Sequence, residues 1–186
     1  MKLKKTNALL GLLSIFLMIL HISYSVFAYL TMYYNPVLKT VFSLPFIILV
    51  CLHAVSGMTT LFLQSDGGKI SLYPKQNVKT ILQRLSAALI FPFLILHLKT
   101  FSLMQASAEK GMKFFIVLLI VAELLFFGIV ITHIAVSFSN GLITLGLLSS
   151  RKTQKIIDKT MYIIGAFAFI ISAYAVIRGQ AIMFLS

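Results

Sequence analysis

The stretch Thr80–Phe101, TILQRLSAALIFPFLILHLKTF, decides the fold class of this chain. It is long enough to cross a bilayer, because a transmembrane helix needs about 20 consecutive apolar residues. His97 stands near its end, and three similar apolar runs contain the remaining histidines, His21, His53 and His133. Ionisable side chains inside a bilayer are costly and are kept mainly where they bind something. The four histidines are therefore the first candidates for a functional site.

The composition of the whole chain is typical of an integral membrane protein. Of its 186 residues, 60% are hydrophobic and only 11% are charged, which lies far from the usual composition of a soluble domain. The apolar runs predict an all-α, polytopic bundle of five transmembrane helices that forms a single domain, residues 1–186. The predicted spans are Ala8–Met32, Val41–Leu63, Thr80–Met104, Met112–Phe138 and Met161–Leu185. Little chain is left outside them to bind a flavin or a nucleotide.

The basic residues predict the orientation in the membrane. The net charge of +12 does not indicate nucleic-acid binding, because the basic residues stand at the ends of spans rather than in one soluble patch. One side of the predicted bundle holds eleven of the sixteen: Lys2, Lys4, Lys5, Lys69, Lys75, Lys79, Arg84, Arg151, Lys152, Lys155 and Lys159. The excess of positive charge predicts that this side, with the N-terminus, is cytoplasmic.

Cys51 is the only cysteine, and it lies inside the second predicted span. A single thiol can neither form an internal disulfide nor hold an iron–sulfur cluster, which needs several cysteine ligands. Any iron–sulfur cluster that delivers electrons to this chain must belong to a partner subunit.

The depths of the histidines predict how they pair. Successive spans run antiparallel, so at about 1.5 Å per residue His97 lies roughly 7 Å on the outer side of the midplane and His133 roughly 12 Å on the inner side. Two histidines that ligate one haem iron must share a depth, which excludes the pairing of His97 with His133. The consistent assignment is His21 with His97 at an outer haem and His53 with His133 at an inner haem.

Two bis-histidine sites would serve electron transfer. Bis-histidine haem iron is six-coordinate and leaves no position open for a substrate. A zinc site would need three or four ligands converging at one level, and two separated pairs do not supply them. The structural alternative is that the four are unrelated buried histidines, each hydrogen-bonded to a neighbouring helix.

Several short motifs resemble a known family. They are Leu52–Gly57 (LHAVSG), Leu82–Ser86 (LQRLS) continuing to His97, and His133–Ala135 followed by Gly146 and SSRKTQ. Across nearly its whole length the chain resembles the five-helix dihaem cytochrome b anchor of succinate dehydrogenases and fumarate reductases. The similarity is strongest to the succinate:menaquinone reductase type of Gram-positive bacteria.

The resemblance implies a function as well as a fold. It implies two b haems with His21, His53, His97 and His133 as axial ligands, and exchange of electrons with membrane quinone, menaquinone in this family. It also implies flavoprotein and iron–sulfur partner subunits and a bacterial cytoplasmic membrane. The chain itself would be an electron-transfer subunit without catalytic residues. The two inner loops, Gln64–Lys79 and Ser149–Lys159, are then expected to dock the iron–sulfur subunit.

Other polar residues in the spans have two interpretations each. Arg84 is either a contact for a propionate of the inner haem or a positive-inside anchor. Glu123, the only carboxylate inside a predicted span, either exchanges protons with quinone near the outer haem or pairs with Lys99. Three hydroxyl residues are candidates to hydrogen-bond propionates or histidine rings: Tyr24, Ser86 and Ser137.

Two alternative functions are also compatible with the sequence. One is the cytochrome b subunit of another quinone-linked complex, such as a hydrogenase or a formate dehydrogenase. The other is a haem-free transporter or structural membrane protein. The scarcity of charged residues inside the spans argues against an ion pathway.

Overall fold

A computed structural model describes residues 2–63 and 74–186, with side chains for residues 2–60 and 78–186. It contains five helices, and the described ranges contain no strand. Each helix includes an apolar window long enough to cross a membrane, so the predicted all-α bundle of five spans is confirmed and the chain is a membrane protein. The helices are α1 (Lys2–Thr31), α2 (Pro36–Leu63), α3 (Pro74–Glu109), α4 (Lys113–Leu145) and α5 (Arg151–Phe184).

Most of the helices extend past the predicted spans. The 36 residues of α3 make a helix of about 54 Å, whereas the hydrocarbon core of a bilayer is about 30 Å thick. The prediction of a loop at Ser149–Lys159 was wrong for most of its length, because α5 begins at Arg151. Helical hydrogen bonding continues through polar residues beyond the hydrocarbon. Of the other predicted loop, Gln64–Lys79, residues 64–73 lie outside the described residues, and the remainder belongs to α3.

The turn between α1 and α2 is fixed by Asn35. Its Oδ1 accepts hydrogen bonds from the N–H groups of Val37 at 2.9 Å and Leu38 at 3.2 Å, which caps α2 at its first turn. Pro36 occupies the first helical position, where the missing N–H costs nothing. The Tyr24 hydroxyl donates to the Asn35 carbonyl at 2.8 Å and accepts from the Asn35 N–H at 2.9 Å. Tyr24 therefore closes this turn.

The connection from α4 to α5 has a cap on each side. Gly146 adopts a left-handed conformation with φ of 79°, which glycine tolerates without strain. The Leu147 N–H donates to the Leu142 carbonyl at 2.9 Å, so the last carbonyls of α4 are satisfied in a Schellman arrangement. Ser150 Oγ accepts from the Thr153 N–H at 3.4 Å and begins α5.

Two pairs of helices, α1 with α3 and α2 with α4, lie diagonally opposite each other in the bundle. Helix α4 packs against α3, α5 and α1, and α1 also packs against α2 and α5. Between α1 and α3, and between α2 and α4, there is at most slight direct contact in the described part of the chain. The buried residues of α4 are spread along its length, as befits the central helix: Ile116, Leu119, Ile120, Glu123, Phe126, Ala135, Val136 and Ser139.

The two ends of the bundle are held differently. The N-terminal end, with residue 2 and the α4–α5 connection, has an ion pair between Lys79 Nζ and Asp158 Oδ1 at 2.9 Å, and Ser139 Oγ donates to the same carboxylate at 2.6 Å. The C-terminal end is packed by apolar side chains. Its buried cluster comprises Met104, Ile116, Leu119 and Ile120.

Candidate functional site

His53 on α2 and His133 on α4 face each other across one diagonal of the bundle. Their ring centroids are 6.4 Å apart, and the ring planes make an angle of 61°. Two imidazoles that bind one metal ion from opposite sides, with bonds of about 2 Å as in zinc sites, place their centroids roughly 6 Å apart. We call these two residues the inner pair. Their proximity agrees with the depth argument, while ligation of a haem stays a prediction.

The Nδ1 atoms of the inner pair face main-chain carbonyl groups. His53 Nδ1 lies 3.1 Å from the Asn7 carbonyl oxygen on α1, and His133 Nδ1 lies 3.2 Å from the Gln83 carbonyl oxygen on α3. A carbonyl oxygen only accepts hydrogen bonds, so both Nδ1 atoms carry the proton. In each neutral ring Nε2 then has a free lone pair, the form in which histidine binds a metal. Neither Nε2 atom has a hydrogen-bond partner among the described residues.

Small and polar residues of α1 bring its backbone close to His53. Ser56 Oγ donates to Asn7 Oδ1 at 2.8 Å, which ties α1 to α2 one turn beyond the histidine. Gly11 faces the ring, and a Cβ atom at this position would lie 3.0 Å from His53 Cε1. Gly57, four residues after His53, faces the Asn7 side chain. It therefore serves the packing of α1 on α2.

Ser86 supports His133 from α3. Its Oγ lies 3.1 Å from His133 Nδ1 and donates to the Leu82 carbonyl oxygen at 2.6 Å. Because the hydroxyl proton is already used, Oγ accepts from the imidazole N–H, which is shared with the Gln83 carbonyl. The Gln83 side chain adds a second link, since Asn140 Nδ2 donates to Gln83 Oε1 at 3.1 Å. Ser86 is thus the predicted hydroxyl that does contact a histidine ring.

His97 on α3 has a carboxylate as its partner. Its Nδ1 lies 2.8 Å from Glu123 Oε2 and 3.1 Å from Oε1. Only 3% of the Glu123 side chain is exposed, against 29% of the His97 side chain. The His97 ring also stacks on Phe126 of α4, with centroids 5.1 Å apart. Glu123 therefore contacts a histidine, a partner that the sequence analysis did not give it, and Lys99 is exposed.

His21 on α1 has an unsatisfied nitrogen. Its Nδ1 is buried and has no hydrogen-bond partner among the described residues, and its ring stacks on Phe46 of α2 with centroids 5.5 Å apart. No ring contact joins His21 and His97 in the described part of the chain. We call them the outer pair. An unpaired buried nitrogen in a native structure calls for a partner, and a metal ion or a hydrogen-bond acceptor could supply it.

The other predicted site residues lie elsewhere. Arg84 is exposed near the beginning of α3. Tyr24 is used by the α1–α2 turn, and the Ser137 hydroxyl donates to the His133 carbonyl oxygen within α4 at 2.6 Å. Neither hydroxyl contacts a histidine ring. The described residues also contain no group of three or more histidine, cysteine or carboxylate side chains that could hold a metal ion.

Sequence reasoning missed Asn7 and Gln83. They act on the inner pair through main-chain carbonyl oxygens, which every residue has, so no residue type could have marked them. The contact between His97 and Glu123 did have a signal, because both were expected in the outer half of adjacent antiparallel spans. Comparison with known proteins adds nothing to this geometry: no protein-family model, no curated protein and no solved structure matches the chain.

Proposed function

We propose that this chain is the membrane-anchor cytochrome b subunit of a succinate:quinone oxidoreductase, a succinate dehydrogenase or fumarate reductase. It binds two b haems, the inner through His53 and His133 and the outer through His21 and His97. When bound, these haems supply one-electron transfer between an iron–sulfur subunit and membrane quinone, with menaquinone as the expected quinone. The motifs that resemble the family and the geometry of the inner pair support this proposal together.

The inner pair is the observation that carries the proposal. Each ring donates Nδ1–H to a main-chain carbonyl, and its Nε2 has no partner among the described residues, which is the arrangement found for histidines that ligate metals. The centroid separation of 6.4 Å would allow both imidazoles to hold one iron atom. Helices α2 and α4 approach each other here through the two rings. An apolar core would give no reason for two partly buried imidazoles to meet.

The outer pair fits a haem by its chemistry. The carboxylate of Glu123 holds the Nδ1 proton of His97, so Nε2 of this ring is also the nitrogen available for ligation. His21 brings a second imidazole, whose buried Nδ1 has no partner in the described part of the chain. Both residues lie on helices that form the second diagonal, α1 and α3. The donors are thus two imidazoles, the ligand set of a bis-histidine haem.

The proposed docking face is the N-terminal end of the bundle. It presents many exposed basic side chains, and their excess is the basis for placing this end in the cytoplasm of a bacterial cell. An iron–sulfur subunit with an acidic face would be steered to such a surface. The exposed basic residues are Lys2, Lys4, Lys5, Arg84, Arg151, Lys152, Lys155 and Lys159.

Arg84 and Glu123 keep the roles suggested by the sequence as hypotheses. Arg84 is free of ion pairs with described residues, so its side chain is available to a haem propionate or to the partner subunit. Proton exchange between Glu123 and quinone would compete with the contact of the carboxylate with His97. The contact at 2.8 Å therefore favours a role for Glu123 at the ring.

The haem content of the purified chain tests the proposal. We expect two b haems per chain and the spectrum of low-spin, six-coordinate iron, because four imidazoles form two pairs. The measurement is the haem-to-protein ratio together with the reduced-minus-oxidised spectrum. A ratio near zero would defeat the proposal, and a ratio near one would mean that one pair is structural. Co-purification of a flavoprotein and an iron–sulfur protein would separate this function from that of other quinone-linked cytochromes b.

A further inference from the structure

The partner of His97 differs in kind from the partners of His53 and His133. Both oxygens of the Glu123 carboxylate lie within 3.1 Å of His97 Nδ1, and these are the only hydrogen bonds of this carboxylate among the described residues. The side chain is 3% exposed and lies in a span, where an isolated carboxylate is costly. Such a group is tolerated only if it is paired and hydrogen-bonded. Glu123 and His97 therefore have to be understood as one unit.

We propose that Glu123 is the positioning residue of His97. Its carboxylate accepts the Nδ1–H, fixes the ring with Nε2 as the ligating nitrogen, and lowers the reduction potential of the haem that His97 holds. This inference rests on the proposed function. It deepens that function, because it assigns to Glu123 the preference of the outer site for ferric over ferrous haem.

The effect on the potential follows from charge and ligand basicity. A carboxylate that accepts the ring N–H raises the electron-donating strength of the imidazole more than a neutral carbonyl does. The ferric form has one more positive charge than the ferrous form, so a stronger donor and a nearby negative charge both favour it. The low dielectric of the membrane interior increases the effect. Hydrogen bonding around ligands and burial are among the properties by which proteins set such potentials.

The test compares Glu123→Gln with the unaltered protein by redox titration of both haems. The amide still accepts the Nδ1–H through its oxygen but has no charge. We expect two haems per chain and an unchanged inner component. The outer component, recognised as the one that is lost in His97→Leu, should favour the ferrous form about tenfold more, which raises its one-electron midpoint by about 59 mV.

A matched control separates the effect of the contact between Glu123 and His97 from the effect of a negative charge alone. Glu109→Gln removes the same charge from an exposed glutamate at the same end of the bundle, and both midpoints should stay unchanged. If Glu123→Gln also leaves both midpoints unchanged while two haems are bound, the inference is overturned and the proposed function stands. If the unaltered chain binds no haem, the proposed function and this inference both fail.

A second variant covers the case in which Glu123→Gln loses the outer haem. Glu123→Asp keeps the carboxylate on a side chain shorter by one methylene group. Retention of the second haem by Glu123→Asp alone would show that the charge on the ring is what the site needs. Loss of the outer haem from the aspartate and glutamine variants alike, in proteins with normal helix content and melting behaviour, would contradict positioning through the charge. The ferric low-spin EPR signal is a further readout, since it responds to the donor strength of the axial imidazole.

Discussion

The inner pair is supported by neutral groups and the outer pair by a charge. His53 and His133 donate to main-chain carbonyl oxygens, which cannot move without moving a helix and which carry no net charge. His97 donates to a side-chain carboxylate, and His21 Nδ1 has no partner in the residues that the structure describes. The inner site is thus fixed by the backbones of α1 and α3, whereas the outer site depends on one side chain and leaves one nitrogen unsatisfied. Equal changes at the two sites should therefore have unequal consequences.

Replacement of one ligand at each site should give the largest difference. His133→Leu and His97→Leu should each reduce the haem content from two to one, because each removes one axial ligand. His133→Leu should also stop transfer from the iron–sulfur subunit. If quinone reacts near the outer haem, His97→Leu should keep succinate oxidation with a soluble dye and lose coupling to quinone. The measurements are haem content and both activities in membranes. Loss of both haems from either variant would contradict the pairing.

The same two variants should differ in stability. His97→Leu leaves the buried Glu123 carboxylate without its hydrogen-bond donor among the described residues, and an unsatisfied buried charged group costs roughly 3 kcal/mol or more. His133→Leu leaves the Gln83 carbonyl and the Ser86 hydroxyl without the hydrogen bond that they accept from the ring, at a cost of about 1–3 kcal/mol. Thermal unfolding in detergent compares them. The double variant His97→Leu/Glu123→Leu should recover most of the stability without recovering the haem. A double variant no more stable than His97→Leu would mean that Glu123 is not buried as a charge.

A smaller effect is expected from a substitution that fills the space beside the His53 ring of the inner pair. A Cβ at Gly11 would lie 3.0 Å from His53 Cε1, so Gly11→Leu should displace the ring and lower the occupancy of the inner haem alone. Gly141→Ala is the control, because its Cβ would make only ordinary contacts of 3.9 Å with Leu12. Haem content and the inner midpoint potential are the readouts. Full occupancy of the inner haem and an unchanged potential in Gly11→Leu would show that α1 does not confine the ring of His53 at Gly11.

The two sites also differ in how much of each could be predicted from the sequence. The apolar runs are enough to identify five spans, since the length of a span is set by the bilayer. They do not locate the ends of α3 or α5, because a helix continues through polar residues once it has left the hydrocarbon. The rise of 1.5 Å per residue is also enough to put His53 and His133 on the same, inner side of the midplane, and the structure places their rings together.

What could not be predicted is how each ring is held. Asn7 and Gln83 use backbone oxygens, and those positions become visible only when α1 and α3 are packed beside the rings. Glu123 could have been matched to His97 by depth. The opposite charge of Lys99 made it an alternative partner for Glu123, but in the structure Lys99 is exposed and Glu123 contacts the His97 ring. A long lysine side chain near a span end can reach the interface, whereas Glu123 is too short to leave the bundle.

The smallest effect is expected at His133, whose Nδ1–H has two neutral hydrogen-bond acceptors. Ser86→Ala removes one of them, but His133 Nδ1 keeps the Gln83 carbonyl at 3.2 Å, so the tautomer with a free Nε2 is retained. The loss is one hydrogen bond of about 1 kcal/mol, without any change of charge. We expect two haems per chain, a slightly lower melting temperature, and a shift of the inner midpoint well below the shift of the outer midpoint in Glu123→Gln. Redox titration of the two variants side by side measures this ratio. If Ser86→Ala moves its haem as far as Glu123→Gln moves the other, charge is not what distinguishes the two sites, and both rings respond alike to the loss of any acceptor at Nδ1.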